Sequence, residues 1–73
     1  MTTKKEYLAW CKLRAHKYVD LGNLNQAVMS MVSDLSNHPE TNIPALDMLM
    51  LVGMMEAQRG TDAVRKWIND FSE

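Results

Sequence analysis

The sequence predicts an all-α domain, a compact four-helix unit built from two αα-hairpins, and three observations carry that prediction. Apolar residues recur at helical rather than strand spacing along most of the chain. Gly22 and Gly60 each stop a helical run and are followed at once by residues suited to opening the next one. One longer polar loop, Asn37 to Pro44, separates the two pairs. The expected helices cover about residues 4–21, 24–37, 44–58 and 62–72, and they form a single domain over 1–73.

The first helix opens on a capping box. The Thr3 hydroxyl is placed to accept from the Glu6 amide, and Glu6 to reach back. At about 100° per residue, Tyr7, Leu8, Cys11, Ala15, Tyr18 and Val19 share one face. Lys5, Lys12 and His16 lie roughly opposite, and Trp10 and Leu13 fall outside the apolar stripe. Gly22 supplies a left-handed stop after Leu21.

The second helix follows directly. Asn23 with Gln26 reads as a second capping box. Leu24, Ala27, Val28, Met31, Val32 and Leu35 form its apolar stripe, while Asn25, Gln26, Ser30, Ser33 and Ser36 face away. So short a connection makes the first two helices antiparallel. Pro39 then ends the run by removing an amide and disfavouring helix at His38. Thr41 or Asn42 is expected to cap the third helix, with Pro44 in its first turn.

The third helix is apolar almost all the way round, from Ala45, Leu46, Met48, Leu49 and Met50 through Leu51, Val52, Met54, Met55 and Ala57. Such a helix is either central in a bundle or shared between two chains. Its methionines make a soft, adaptable surface. Glu56 stands within this apolar run and is expected to reach solvent or Arg59; the alternative is a basic residue across an oligomer interface. Gly60 ends this helix and Thr61 is expected to cap the fourth, where Ala63, Val64, Trp67, Ile68 and Phe71 recur at helical spacing. Asp62 and Lys66 are spaced as an i,i+4 ion pair. Ala27, Val28, Met31, Val32 and Leu35 repeat as Ala63, Val64, Trp67, Ile68 and Phe71 at a constant offset of 36, which supports the hairpin pairing.

Tyr18, Gly22, Ala27 and Pro39 stand at the spacing of one tetratricopeptide hairpin, which residues 18–39 therefore resemble. The resemblance implies tight helix–helix contact, with glycine for the turn and alanine where backbones approach. Asp34 departs from the pattern, and one unit cannot form the concave groove of those arrays. Most of the chain also resembles a group of small tailed-phage proteins. The residues that carry this are Asp34-Leu35-Ser36-Asn37-His38-Pro39-Glu40-Thr41, the Gly53-Met54-Met55 step, and Arg65-Lys66-Trp67-Ile68-Asn69-Asp70-Phe71. The group has no assigned activity. The resemblance implies a phage accessory product acting in the bacterial cytoplasm and transfers no site residue.

Composition narrows the function classes. A chain of 73 residues buries only roughly 60% of its unfolded surface, so it gains from an oligomer or a partner. Cys11 is the only cysteine, which rules out an intramolecular disulfide and suits a reducing cytoplasm. The opening Met-Thr-Thr-Lys-Lys-Glu lacks the apolar run of a secretory signal, and no stretch approaches the ~20 apolar residues of a membrane span. Residues 1–20 carry a net +3 and residues 21–58 a net −4. The basic first helix raises nucleic-acid binding as an alternative function, on few phosphate contacts. Capture of a small ligand such as a nucleotide between protomers is a further alternative.

No phosphate-binding glycine loop, Cys-x-x-Cys pair or His-Glu-x-x-His motif is present. Cys11 and His16 are one and a half turns apart and do not share a face. His38 and Glu40 are too few to hold a metal alone. No cofactor and no enzymatic activity are expected. The leading expectation is an interaction module that self-associates through the third helix and binds a protein partner. Its contacts are expected at Trp10, Leu13, Met50 and Met54, with His38 and Glu40 at the rim.

Overall fold

The computed structural model describes residues 3–71. Four helices follow in order: α1 (Lys4–Asp20), α2 (Leu24–Ser36), α3 (Leu46–Arg59) and α4 (Thr61–Asn69). The described residues contain no strand, so the all-α fold class read from the sequence is the one observed. Residue 72, the expected end of the fourth helix, lies outside the described residues.

The helix ends are made differently from one another. At the start of α1 the Thr3 hydroxyl accepts from the Glu6 N–H at 3.1 Å and donates to the Glu6 carboxylate at 3.1 Å. Its C-terminus closes as a Schellman motif: Gly22 N–H bonds to Val19 C=O and Asn23 N–H to Tyr18 C=O, both at 2.9 Å. This closure requires the positive φ of 81° at Gly22.

Three expected caps are not made. Asn23 contributes no side-chain cap to α2, because this residue also completes the α1 closure. Its backbone, at φ −93° and ψ 73°, lies outside the extended region from which an N-cap side chain reaches inward. Thr61 is the first helical residue of α4 rather than its cap, and Gly60 takes the cap position at φ 121°. Neither Thr41 nor Asn42 caps α3, whose cap position is Ala45. Thr41 instead turns back and is buried, its hydroxyl donating to Leu35 C=O at 2.6 Å. It thus supplies the short bond to a carbonyl at the end of α2 that otherwise accepts the long 3.5 Å contact from the His38 N–H.

The core comprises Leu8, Cys11, Ala15 and Val19 of α1, Ala27, Val28, Met31 and Leu35 of α2, Leu46 of α3, and Val64, Trp67 and Ile68 of α4. In α1, α2 and α4 these residues lie on the faces that periodicity assigned. Both α1 and α3 pack against α2 and α4, but α1 and α3 have no close backbone approach to each other. The arrangement is therefore a central α2–α4 pair with α1 on one side and α3 on the other. Of the two places expected for an apolar helix, α3 does not take the central one. It is peripheral.

Enclosure of α2 by three neighbours has one further effect. Ser30, expected to face away, is buried together with Asp34, because α1 covers this edge of α2 with Arg14 and Tyr18. Among the described residues, no helix is long and apolar enough to cross a membrane.

Candidate functional site

Two surfaces stand out, one on each side of the central pair. The first is the outer face of α3. Met48, Leu51, Val52 and Met55 follow the i, i+3, i+4, i+7 pattern and are 69%, 66%, 40% and 65% exposed. The opposite face of the same helix carries Leu46 and Gly53, which are buried, and Leu49, Met50, Met54 and Ala57, which lean on the core. This helix thus has two apolar faces back to back, and the bundle covers one of them. The sequence reading chose Met50 and Met54 as contact residues. The structure half-buries both against the core and presents the other four instead. A helix apolar on all sides gives no periodic signal to say which face is inward.

The inner face is fixed by Gly53. A Cβ there would stand 2.7 Å from Val28 Cγ1 and from Trp67 Cζ2, so glycine alone allows this approach. Beside this contact, Trp67 meets Phe71 edge-on, with ring centroids 5.0 Å apart. Trp67 Nε1 is buried and has no hydrogen-bond partner among the described residues. Glu56 pairs with Arg59 at 3.5 Å, as expected for the solvent-side arrangement.

The second surface is a ladder of rings along one edge of α1. His38 stacks on Tyr7 with centroids 4.6 Å apart, Tyr7 stands 5.4 Å from Trp10, and the Arg14 guanidinium carbon lies 4.8 Å over the Trp10 ring. Tyr7, Trp10 and Arg14 are spaced i, i+3, i+7 on α1. His38 reaches them because the antiparallel hairpin returns the end of α2 to the start of α1. Two contacts lock the ladder. The Tyr7 hydroxyl donates to Asp34 C=O, and Arg14 Nε stands 3.4 Å from Asp34 Oδ2. The second contact compensates charge without hydrogen-bond geometry; among the described residues, Oδ2 and the neighbouring Ser30 hydroxyl have no hydrogen-bond partner. The backbone N–H of Glu40 donates to His38 Nδ1 at 3.1 Å and orients the imidazole. The Glu40 side chain is exposed and takes no part in the stack.

Trp10 and Leu13 are 43% and 58% exposed, as their places outside the α1 stripe implied. The structure thus brings Trp10 and His38 together through Tyr7, leaves Glu40 beside them, and sets Met50 and Met54 on the far side of the central pair. Tyr7 and Arg14 were missed as members of this surface. Their i, i+7 spacing around Trp10 was the available signal.

The remaining polar residues of α1 hold the bundle together. His16 Nε2 is 2.9 Å from Asn69 Oδ1 and its Nδ1 is 3.3 Å from Arg65 Nη1, while Lys12 donates to Asn69 C=O near the end of α4. Arg65 also pairs with Asp20. Lys12 and Arg14, two of the cations that made the first helix basic, are therefore engaged within the chain. Lys66 makes no ion pair with Asp62; among the described residues the ion pairs are Arg14–Asp34, Arg59–Glu56 and Arg65–Asp20. Cys11 is fully buried. Burial, and then the nearby Asp34 carboxylate, push its thiol up to about 11, away from the range of a reactive nucleophile. No protein-family model, no curated protein and no solved structure matches this chain.

Proposed function

We infer that the protein is a non-enzymatic interaction module that self-associates through the outer face of α3 and binds a second protein through the ring ladder of α1. The observation that carries this reading is the exposed stripe Met48, Leu51, Val52 and Met55, on a helix whose other face already supplies its share of the core. Four large apolar side chains exposed side by side on one helix face mark an interaction site more readily than singly scattered ones. The α1 surface has the composition of an interface hot spot, with Trp, Tyr and Arg held in place by neighbours. Because α1 and α3 lie on opposite sides of the central pair, both surfaces are free to be occupied at once.

The tailed-phage resemblance of residues 34–41, 53–55 and 65–71 suggests the setting. The module is a phage accessory product working in the host cytoplasm, where a lone buried thiol stays reduced. The partner is a host or viral protein. The test is affinity capture from expressing cells, followed by binding of the purified candidate to the wild type, Trp10→Ala and Leu51→Lys proteins. The reading expects Trp10→Ala to weaken binding at least tenfold while leaving self-association intact. A partner bound equally well by Trp10→Ala would remove the α1 surface from the account.

A further inference from the structure

The exposed stripe of α3 reads nearly the same in both directions: methionine, leucine, valine, methionine at 48, 51, 52 and 55. Its midpoint falls between Leu51 and Val52. Turning a second α3 end for end about that point lays each Met48 on the other copy's Met55 and each Leu51 on the other's Val52. Large meets large and branched meets branched, so one patch complements itself. That is the requirement of an isologous two-fold contact.

The charges at the two ends separate this arrangement from its parallel counterpart. Arg59 lies one turn beyond Met55 on the same line of the helix and is largely exposed. Asp47 stands exposed in the first turn. In a parallel pair the two Arg59 side chains meet at the same end of the seam, and the two helix dipoles align. In an antiparallel pair each Arg59 reaches the level of the other copy's first turn, which carries Asp47, and the dipoles oppose.

The geometry points to a second copy of this chain as the occupant of the α3 face, docked antiparallel, α3 against α3, on a two-fold axis between Leu51 and Val52. This rests on the reading of that face as a self-association surface and adds its occupant, direction and register. The pair is expected to form in the micromolar range.

Single-cysteine cross-linking of the full chain tests the proposal. Cys11 is replaced by Ala throughout, and disulfides are formed by dioxygen with a copper–phenanthroline catalyst. The four stripe positions are exposed, and circular dichroism verifies that each variant remains folded. Leu51→Cys is expected to link to itself, because its two copies stand next to the axis. Met48→Cys alone is expected to link at least tenfold less, since seven residues of rise put its two copies ~10 Å apart along the seam. A mixture of Met48→Cys and Met55→Cys chains is expected to form the mixed dimer. Efficient self-linking of Met48→Cys would overturn the antiparallel register and leave self-association through α3 standing. A sedimenting dimer with no cross-link at any stripe position would move the interface off α3 and overturn both the register and the face. A chain that stays monomeric at high micromolar concentration would overturn this inference together with the reading it rests on.

Discussion

Gly53 lies so close under the Trp67 indole that a Cβ would stand 2.7 Å from Cζ2 and 2.9 Å from Cε2. The glycine sits in mid-helix, where it costs up to about 1 kcal/mol relative to alanine. What it gains is the approach of α3 to the central pair, which sets the other face of α3 outward.

Gly53→Ala is therefore expected to destabilise the fold by about 2 kcal/mol in spite of its better helix propensity, because the added Cβ would meet buried Val28 as closely as the indole. Urea unfolding followed by circular dichroism measures this. An unchanged or raised midpoint would show that Trp67 and Val28 yield freely.

Arg14 is the charge partner of a carboxylate that is itself almost fully buried. Arg14→Met keeps the packing on Trp10 and removes the charge. The expected cost is about 2 kcal/mol, below the usual value for breaking a buried pair because Arg14 remains partly in water. Chemical denaturation reads it, and Asp34→Asn in the Arg14→Met background is expected to recover part of the loss.

Thr41 closes α2 from six residues downstream. Thr41→Val keeps the shape and removes the donor to Leu35 C=O, with an expected loss of about 1 kcal/mol. Faster amide exchange confined to residues 36–41 would accompany it. Exchange raised instead at the start of α3 would return Thr41 to the role of an α3 cap.

Much of the fold was legible in the sequence, and the parts that were not have physical reasons. The inward residues of α1, α2 and α4 follow from spacing because each of these helices has one apolar face. Gly22 and Gly60 marked the turns because a positive φ is costly for other residues. Caps were harder to read. A residue shared by two helices, such as Asn23, serves the first helix with its backbone and has no geometry left for the second. Ser30 was misjudged as a surface position because burial of a polar edge depends on which neighbour covers it. The orientation of α3 was the least legible, since two apolar faces look alike until Gly53 meets Trp67.

Cys11 gives a pH dependence with a definite sign. Its thiol is neutral in the core and titrates at about 11, against an ordinary value of 9.0 in the open chain. Below pH 9 both states hold the proton and the thiol adds no pH dependence. As pH rises from 9 toward 11 the unfolded chain loses its proton first, so stability falls by on the order of 2 kcal/mol across that interval. Burial, with Cys11 and Asp34 next in weight, also raises Tyr7, which adds a loss of the same sign at higher pH. Thermal melts from pH 8 to 11 measure the slope, and Cys11→Ala is expected to flatten its first part. An equal slope in both proteins would exclude the thiol as the cause.

Sedimentation equilibrium from low to high micromolar concentration tests the central claim, that the outer face of α3 holds protein chains together, most directly. The wild type is expected to pass from monomer toward dimer over that range. Leu51→Lys, which places a charge in the middle of the stripe, is expected to stay monomeric with its fold and melting temperature preserved. A wild type that remains a monomer at high micromolar concentration, or a Leu51→Lys protein that dimerises as well as the wild type, would contradict the account.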